Sequence, residues 1–150
     1  MSSIAALGDL KEGETLATET TEWNPEFAHS DYAISKYGAE MEVWRGWQEG
    51  LEVVIVNPGV ILGAVPNTKD WQTGSAEIFA RVRKGLLFYT KGSTGFVTVD
   101  DVVKLLVQSM QSGISGERFI AVSENYSYEQ LLQMVAHSLQ AKPPSYCATP

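Results

Sequence analysis

A tyrosine and a lysine four residues apart, Tyr32 and Lys36, carry the clearest chemical signal in the sequence. On a helix, side chains at positions i and i+4 lie next to each other. An adjacent ammonium favours the phenolate form of a tyrosine, which lets the phenol exchange a proton with a substrate hydroxyl or carbonyl. Lysine also offers three hydrogen-bond donors, which suit a ribose. The pair predicts either acid–base catalysis or, because the spacing is common in amphipathic helices, an ordinary packing contact.

The segment from Asp31 to Glu49 is expected to form the helix that carries this pair, because its apolar residues recur with a helical period and Gly50 follows it. Lys36 falls on an otherwise apolar face, where a lysine must be paired, snorkel or serve a function. A second apolar stripe consists of Ile34, Tyr37, Met41 and Trp44. We therefore expect the helix Tyr32–Glu49 to pack on its own sheet on one side and, in a homodimer, on a partner subunit on the other.

Short apolar strands and helices alternate along the rest of the chain, which is typical of an α/β fold with a parallel sheet. Strands are expected at 51–56, 86–89, 96–99 and 118–122, the first ended by Asn57-Pro58-Gly59 and the third preceded by a turn at 91–95. Helices are expected at 75–84, from Asp100 or Asp101 to 111, and at 127–140, where Ser127 and Gln130 form a capping box. Residues 7–28 lack a clean period and are expected to form a long loop, a feature that is often functional.

Charge and cysteine content narrow the class of protein. The net charge is −7, and seven acids face one lysine from Gly8 to Asp31, which is interpreted as a solvated loop. The lack of a basic patch argues against nucleic-acid binding. A single cysteine, Cys147, excludes an internal disulfide. No secretory signal is recognisable, and the longest apolar run, 53–65, is too short and interrupted to span a membrane, so we expect a cytoplasmic protein without a membrane partner.

Four segments, in order and spacing, resemble the extended short-chain dehydrogenase/reductase family. Tyr32-Ala33-Ile34-Ser35-Lys36 is similar to its Tyr-x-x-x-Lys motif, and Asn57-Pro58-Gly59 resembles the turn beside the nicotinamide. Ser2-Ser3-Ile4-Ala5-Ala6 resembles the end of the strand that carries the catalytic serine. The segment 95–102 resembles the Phe-Val-x-Val-x-Asp-Val stretch of the extended subfamily. That subfamily includes NAD-dependent epimerase/dehydratases and dihydroflavonol-reductase-like enzymes.

This resemblance implies the C-terminal part of a Rossmann-like doubly wound parallel sheet with a small substrate-side α/β region. The family's Gly-x-x-Gly-x-x-Gly unit, which would place a pyrophosphate at a helix N-terminus, is absent from the sequence. We therefore expect residues 1–150 to form a single, partial NAD(P)-binding domain. Alone, this chain is expected to bind cofactor poorly and to be inactive.

The resemblance also implies roles for individual residues. Ser3, rather than Ser2, would hydrogen-bond the substrate oxygen, and Tyr32 would be the general acid or base. Lys36 would bind the nicotinamide ribose and favour the phenolate. The residues expected to line the nicotinamide carboxamide of NAD or NADP are Pro58, Gly59 and Val60, and weaker candidates for the substrate side are Trp71, Tyr89 and Phe96. The acidic loop after Ala6 would cover the site.

The implied function is an NAD(P)-dependent oxidoreductase that reduces a carbonyl or oxidises an alcohol of a small molecule. A nucleotide-sugar epimerase or dehydratase would use the same pair, and an inactive dinucleotide-sensing or scaffold fragment is a third interpretation. Residues 64–75 carry no cluster of basic residues for a diphosphate, which favours the simple reductase.

A few further residues have a structural and a functional interpretation. No metal site is expected, because His137 has no partner histidine or cysteine nearby. His29 is interpreted as a surface residue before the helix. Trp23 and Trp71 fall in loops, where packing competes with substrate contact, and Asp101 is interpreted as a helix cap.

Overall fold

The computed structural model describes residues 1–65 and 67–148, which form two compact units. Unit 1 comprises residues 1–59 and 100–121, and unit 2 comprises residues 60–99 together with those from 122 onward. In chain order the elements are a 3-10 turn at Ile4–Ala6, α1 (Asp31–Gln48), β1 (Val54–Pro58), β2 (Val60–Leu62), 3-10 turns at Thr68–Gln72 and Gly74–Ala76, α2 (Glu77–Arg83), β3 (Phe88–Thr90), β4 (Ser93–Thr98), α3 (Val99–Gln111), β5 (Glu117–Ala121), β6 (Glu124–Ser127), α4 (Tyr128–Ser138) and β7 (Tyr146–Ala148).

Unit 1 is built on a parallel strand pair. β1 and β5 run side by side in a register from Val54↔Glu117 to Pro58↔Ala121. The amide of Ser2 donates to the carbonyl oxygen of Val56 (2.7 Å), which brings the start of the chain alongside β1. The apolar core of this unit consists of Ala6, Leu7, Ala33, Ile55, Val56, Val102 and Ala121.

Helix α1 begins and ends with side-chain and backbone caps that its sequence encodes. The Ser30 hydroxyl oxygen accepts a hydrogen bond from the Ala33 amide (3.2 Å) at the first turn. At the other end, Gly50 takes a φ of 102°, a left-handed conformation that glycine adopts without a steric penalty. The Leu51 amide then reaches the Gly46 carbonyl (3.0 Å), which closes a Schellman motif. The predicted end of the helix at Gly50 is therefore confirmed.

Two polar side chains lie in the core of unit 1 and form a cluster with an arginine. Glu40 on α1 is 2% exposed and Asn57 on β1 is fully buried. The Asn57 amide nitrogen donates to Glu40 Oε1 (2.5 Å), and Arg118 Nη1 on β5 donates to Glu40 Oε2 (3.2 Å). A buried carboxylate is tolerated only when it is paired and hydrogen-bonded, and here both of its oxygens have a partner. We call Glu40, Asn57 and Arg118 the Glu40 cluster.

Unit 2 combines a mixed sheet with two helices. β2 pairs parallel with β4, β4 pairs antiparallel with β6, and β3 pairs parallel with β7. Ser127 caps α4 through the predicted capping box with Gln130. The buried core of the unit consists of Val82, Phe96, Leu131, Leu132, Val135 and Ala136.

The predicted α/β class and the four predicted helices are confirmed, and the differences concern short or polar strands. β1 begins at Val54 rather than at residue 51, because Leu51 completes the cap of α1. The turn expected at 91–95 is in part strand, since β4 begins at Ser93 and pairs with β6, whose polar residues gave no strand pattern. α3 begins at Val99, so Asp101 lies in its first turn, where it pairs with Lys104 (3.2 Å), rather than before it as a cap. No helix in the described part of the chain is long and apolar enough to cross a membrane.

Removing the buried carboxylate is expected to destabilise the protein strongly. Glu40→Ala removes the carboxylate that one donor of Arg118 and one donor of Asn57 share, so we expect the free energy of unfolding to fall by about 3 kcal/mol. Urea denaturation followed by tryptophan fluorescence measures this change. Glu42→Ala, on the exposed side of α1 where Glu42 pairs with Arg45 (2.8 Å), is the matched control and should cost less than about 1 kcal/mol. Equal losses in the two variants would contradict the assignment.

Candidate active site

Tyr32 and Lys36 lie side by side on the first two turns of α1. The ammonium of Lys36 is 5.7 Å from the centroid of the Tyr32 ring. The Tyr32 side chain is 56% exposed and that of Lys36 is half-buried. Within the described ranges, no carboxylate lies at ion-pair distance from Lys36. The phenol of Tyr32 and the ammonium of Lys36 are therefore available to groups from outside the chain.

Ser3 lies at the start of the 3-10 turn Ile4–Ala6, which packs against α1 and β1. Its hydroxyl oxygen accepts a hydrogen bond from the Ala5 amide (3.2 Å), which leaves the hydroxyl hydrogen free to be donated elsewhere. Its backbone carbonyl accepts a hydrogen bond from the Asn57 side-chain amide (2.8 Å). The neighbouring Ser2 hydroxyl is buried and has no partner among the described residues. The geometry therefore separates the two serines: Ser3 is half-buried at the turn, whereas the Ser2 hydroxyl is enclosed.

The Glu40 cluster was not predicted from the sequence, although it connects to Ser3 through Asn57. Asn57 was interpreted only as part of a turn. Glu40 follows Lys36 by one helical turn. A carboxylate beside the buried face of an apolar helix is the sequence signal that could have identified it. No comparable signal pointed to Arg118, because its contact with Glu40 joins residues far apart in the chain.

The acidic loop, residues 7–28, is held against unit 1 by specific contacts. Trp23 stacks on Tyr37 of α1 (centroids 4.4 Å apart) and on His29 (3.8 Å). Glu19 is tied to β5 twice, through its carbonyl to Arg118 (2.6 Å) and through its carboxylate to the Ile120 amide (3.0 Å). Trp23 is thus a packing residue.

The interpretation of His29 as a surface residue was wrong. Its side chain is 12% exposed, lies 3.4 Å from Asp9 Oδ2 and is 2.9 Å from the carbonyl oxygen of Asn24. Its ring stacks on that of Trp23. The charge pattern alone did not indicate that a loop so rich in acids would bury a histidine.

Pro58 and Gly59 end β1 in unit 1, and the Gly59 amide donates to the Ala121 carbonyl of β5 (3.0 Å). Val60 begins β2 and belongs to unit 2. Ser3, Tyr32, Lys36, Pro58 and Gly59 therefore all belong to unit 1, and Val60 does not.

The three weaker substrate candidates all lie in unit 2, in different surroundings. Trp71 contacts Phe79 (centroids 5.7 Å apart). Phe96 is 6% exposed and belongs to the core cluster, so little of its ring is available to a substrate. Partial burial, followed by the Glu129 carboxylate and its hydrogen bond, raises the pKa of Tyr89 above its ordinary value of 10.0. Tyr89 is therefore protonated at neutral pH and acts there as a hydrogen-bond donor.

Metal ligation has no support in the part of the chain that the structure describes. No group of three or more histidine, cysteine, aspartate or glutamate side chains is arranged to hold an ion there. Cys147 is a free thiol in β7.

Comparisons with known proteins identify the family and the fold of the chain. The sequence model of the NAD dependent epimerase/dehydratase family matches residues 1–121. Tetraketide alpha-pyrone reductase 2 of Arabidopsis thaliana is 30% identical over 106 residues, which cover 69% of this chain and 32% of that protein. A Synechocystis protein provisionally named dihydroflavonol 4-reductase is 32% identical over 136 residues, which cover 87% of this chain and 38% of that protein. The chain thus spans about a third of the length of these curated relatives.

Solved structures share the fold. A nucleoside-diphosphate-sugar epimerase from Pseudomonas aeruginosa matches with a TM-score of 0.85 at 21% identity, over 98% of this chain and 47% of that one. A dTDP-glucose 4,6-dehydratase from Bacillus anthracis in complex with NAD matches with a TM-score of 0.76 at 15% identity, over 99% of this chain and 49% of that one. RMD from Pseudomonas aeruginosa complexed with NADPH matches with a TM-score of 0.72 at 22% identity, over 99% of this chain and 52% of that one. The fold is therefore part of a Rossmann-type α/β fold, and because the family's sequence model covers most of the chain, the chain belongs to the NAD dependent epimerase/dehydratase family.

Proposed function

We propose that the protein is an NAD(P)-dependent oxidoreductase that reduces a carbonyl or oxidises an alcohol of a small-molecule substrate. The observation that carries this proposal is the side-by-side placement of Tyr32 and Lys36, with Lys36 unpaired by any described carboxylate and Ser3 in the same unit. The chain spans about half the length of the solved proteins it matches, so the activity is proposed for the full-length protein.

In this proposal the proton is handled by residues of unit 1. The Tyr32 phenol gives a proton to the substrate carbonyl oxygen in reduction, or accepts one from the alcohol in oxidation. The Lys36 ammonium favours the phenolate that remains after the proton has left. The Ser3 hydroxyl donates a hydrogen bond to the same substrate oxygen, which its bond to the Ala5 amide permits because the serine oxygen is only an acceptor there.

The donors and turn residues of unit 1 suit a nicotinamide cofactor. Lys36 offers three N–H donors for the ribose hydroxyls, and its side chain forms no ion pair within the described chain that would compete. Pro58 ends β1 and Gly59 follows it, and these two residues of unit 1 would line the carboxamide; Val60, the third residue expected there, begins β2 in unit 2. When bound, NAD or NADP supplies or accepts the hydride, and the protein orients the reacting groups and moves the proton.

A simple reductase is favoured over a sugar-modifying enzyme. Two relatives at 30% identity or more are named as reductases, whereas the epimerase and dehydratase structures are less than 25% identical and share only the fold. Lys69 is the only basic residue in the segment 64–75, which is a poor match for a diphosphate. The nucleotide-sugar epimerase or dehydratase remains the second candidate, because the family model covers such enzymes.

Removal of the Tyr32 hydroxyl is expected to lower the turnover rate strongly while cofactor binding is retained. In the full-length protein, Tyr32→Phe removes the proton donor, so we expect kcat for NAD(P)H-dependent carbonyl reduction to fall by about 10² or more. The dissociation constant for NAD(P)H, measured by fluorescence titration, should change little. Tyr37→Phe makes the same change on the same helix, where the ring stacks on Trp23, and should retain activity. Full activity of Tyr32→Phe would support a dinucleotide-sensing role instead.

A substrate screen separates the two enzymatic candidates. We expect NAD(P)H oxidation with small ketones and aromatic carbonyl compounds, and no conversion of UDP- or dTDP-sugars, because residues 64–75 offer little positive charge to a diphosphate. The absorbance of NAD(P)H measures the reductase activity, and chromatography of the nucleotide sugars measures the epimerase or dehydratase activity. Turnover confined to nucleotide sugars would replace the reductase with the epimerase or dehydratase.

We further propose that α1 forms a homodimer interface. The second apolar stripe of the helix, on the flank away from Lys36, has exposed members, namely Ile34 and Met41. Light scattering of the full-length protein is expected to give a dimer, and Met41→Lys should weaken it by placing a charge on the apolar flank. A monomer at all concentrations for the unmodified protein would remove this interface.

A further inference from the structure

We infer that Asn57 is a positioning residue, oriented by Glu40, that holds the reactive Ser3 in place relative to the helix carrying Tyr32 and Lys36. This inference rests on the proposed function and assigns a task to the Glu40 cluster. Neither Asn57 nor Glu40 touches substrate in this scheme. Both act through the residues that do.

Asn57 uses both of its side-chain donors on two different parts of unit 1. Its amide nitrogen donates to the Ser3 carbonyl (2.8 Å) and to Glu40 Oε1 (2.5 Å), and an amide group has two N–H donors. The opposite amide orientation would set its oxygen against two acceptors, so the contacts fix which way the group points. The residue is fully buried, which excludes water as a substitute for either contact.

The bond from Asn57 is one of four that define where the Ser3 hydroxyl lies. The Ser2 amide fixes the preceding residue to Val56 of β1 (2.7 Å), and the Ala5 amide fixes the Ser3 side-chain rotamer (3.2 Å). Asn57 holds the Ser3 carbonyl itself. The other bond to the same oxygen, from the Ala6 amide (3.0 Å), stays within the 3-10 turn, so the Asn57 bond is the one that joins the Ser3 carbonyl to β1.

Glu40 connects the same anchor to the catalytic helix. It lies one turn after Lys36 and two turns after Tyr32 on α1, so a rotation of α1 about its axis moves all three together. Its two carboxylate oxygens are bound by Asn57 of β1 and Arg118 of β5, which prevents that rotation. One carboxylate–amide contact therefore links the helix with Tyr32 and Lys36 to the turn with Ser3.

The amide oxygen of Asn57 takes no part in these contacts. Asn57 Oδ1 is buried and has no hydrogen-bond partner among the described residues. An apolar side chain at this position would free no oxygen of its own but would leave a buried Glu40 oxygen without its donor. The geometry thus favours a residue that is kept for its two donors.

A double-mutant cycle in the full-length protein tests whether Asn57 acts through Ser3. We expect Asn57→Ala to lower kcat by about tenfold or more, with KM for the cofactor changed by less than about twofold, because a misplaced group loses rate rather than binding. In a Ser3→Ala background the same Asn57→Ala change should alter kcat by less than about twofold, since the group it positions is already gone. Asn125→Ala, at an exposed position of β6, is the matched control and should leave kcat unchanged.

A purely structural role predicts a different pattern. The losses from Ser3→Ala and Asn57→Ala would then multiply, or Asn57→Ala would leave kcat unchanged, and either result would overturn the inference. If Asn57→Ala fails to fold, Asn57→Ser, whose hydroxyl offers one donor in place of two, enters the same cycle, with Asn125→Ser as its control. Independent losses in that cycle would count equally against the inference.

Amide hydrogen exchange supplies a readout that does not depend on turnover. The Ala5 amide donates to the Ser3 hydroxyl oxygen, so its exchange rate reports whether that hydroxyl stays in place. Asn57→Ala should raise this rate about tenfold or more, and Asn125→Ala should not. If the unmodified protein reduced no carbonyl, the proposed function would fail, while unchanged Ala5 exchange in Asn57→Ala would still separately refute the positioning role.

Discussion

A carboxylate buried between α1 and the β1–β5 pair constrains the whole of unit 1. Glu40 is removed from water, and such a charge is tolerated only where each oxygen finds a donor. Asn57 comes from β1 and Arg118 from β5, so the two strands and the helix must meet in one arrangement for the carboxylate to be satisfied. That requirement sets the rotation of α1 about its own axis. The direction in which the helix presents Tyr32 and Lys36 follows from this rotation.

The same arginine extends this constraint to the acidic loop. Arg118 binds the Glu19 carbonyl with one nitrogen while it binds Glu40 with another. Stacking of Trp23 on Tyr37 fixes the loop to α1 at a second point. A segment without regular structure and rich in negative charge is thus held along a defined path between Ser3 and Tyr32, the two ends of the proposed catalytic set.

Membership of the epimerase/dehydratase family and the polar groups of unit 1 support a consistent chemistry. Tyr32 is exposed and adjacent to a cation, whereas burial and a carboxylate raise the pKa of Tyr89 and keep that phenol protonated at neutral pH. The core position of Phe96 likewise assigns that ring to packing rather than to a substrate.

Local sequence rules determined a large part of this protein. Helical spacing put Lys36 beside Tyr32, Ser30 and Gly50 bounded the helix, and Ser127 with Gln130 capped α4, because these interactions join residues within a turn or two of one another. The tertiary structure decided the rest. Pairing of the polar strand β6 with β4, burial of His29 and assembly of Glu40, Asn57 and Arg118 all depend on contacts between distant segments. A buried polar cluster leaves no periodic trace in sequence, because its partners are fixed only when separate elements pack together.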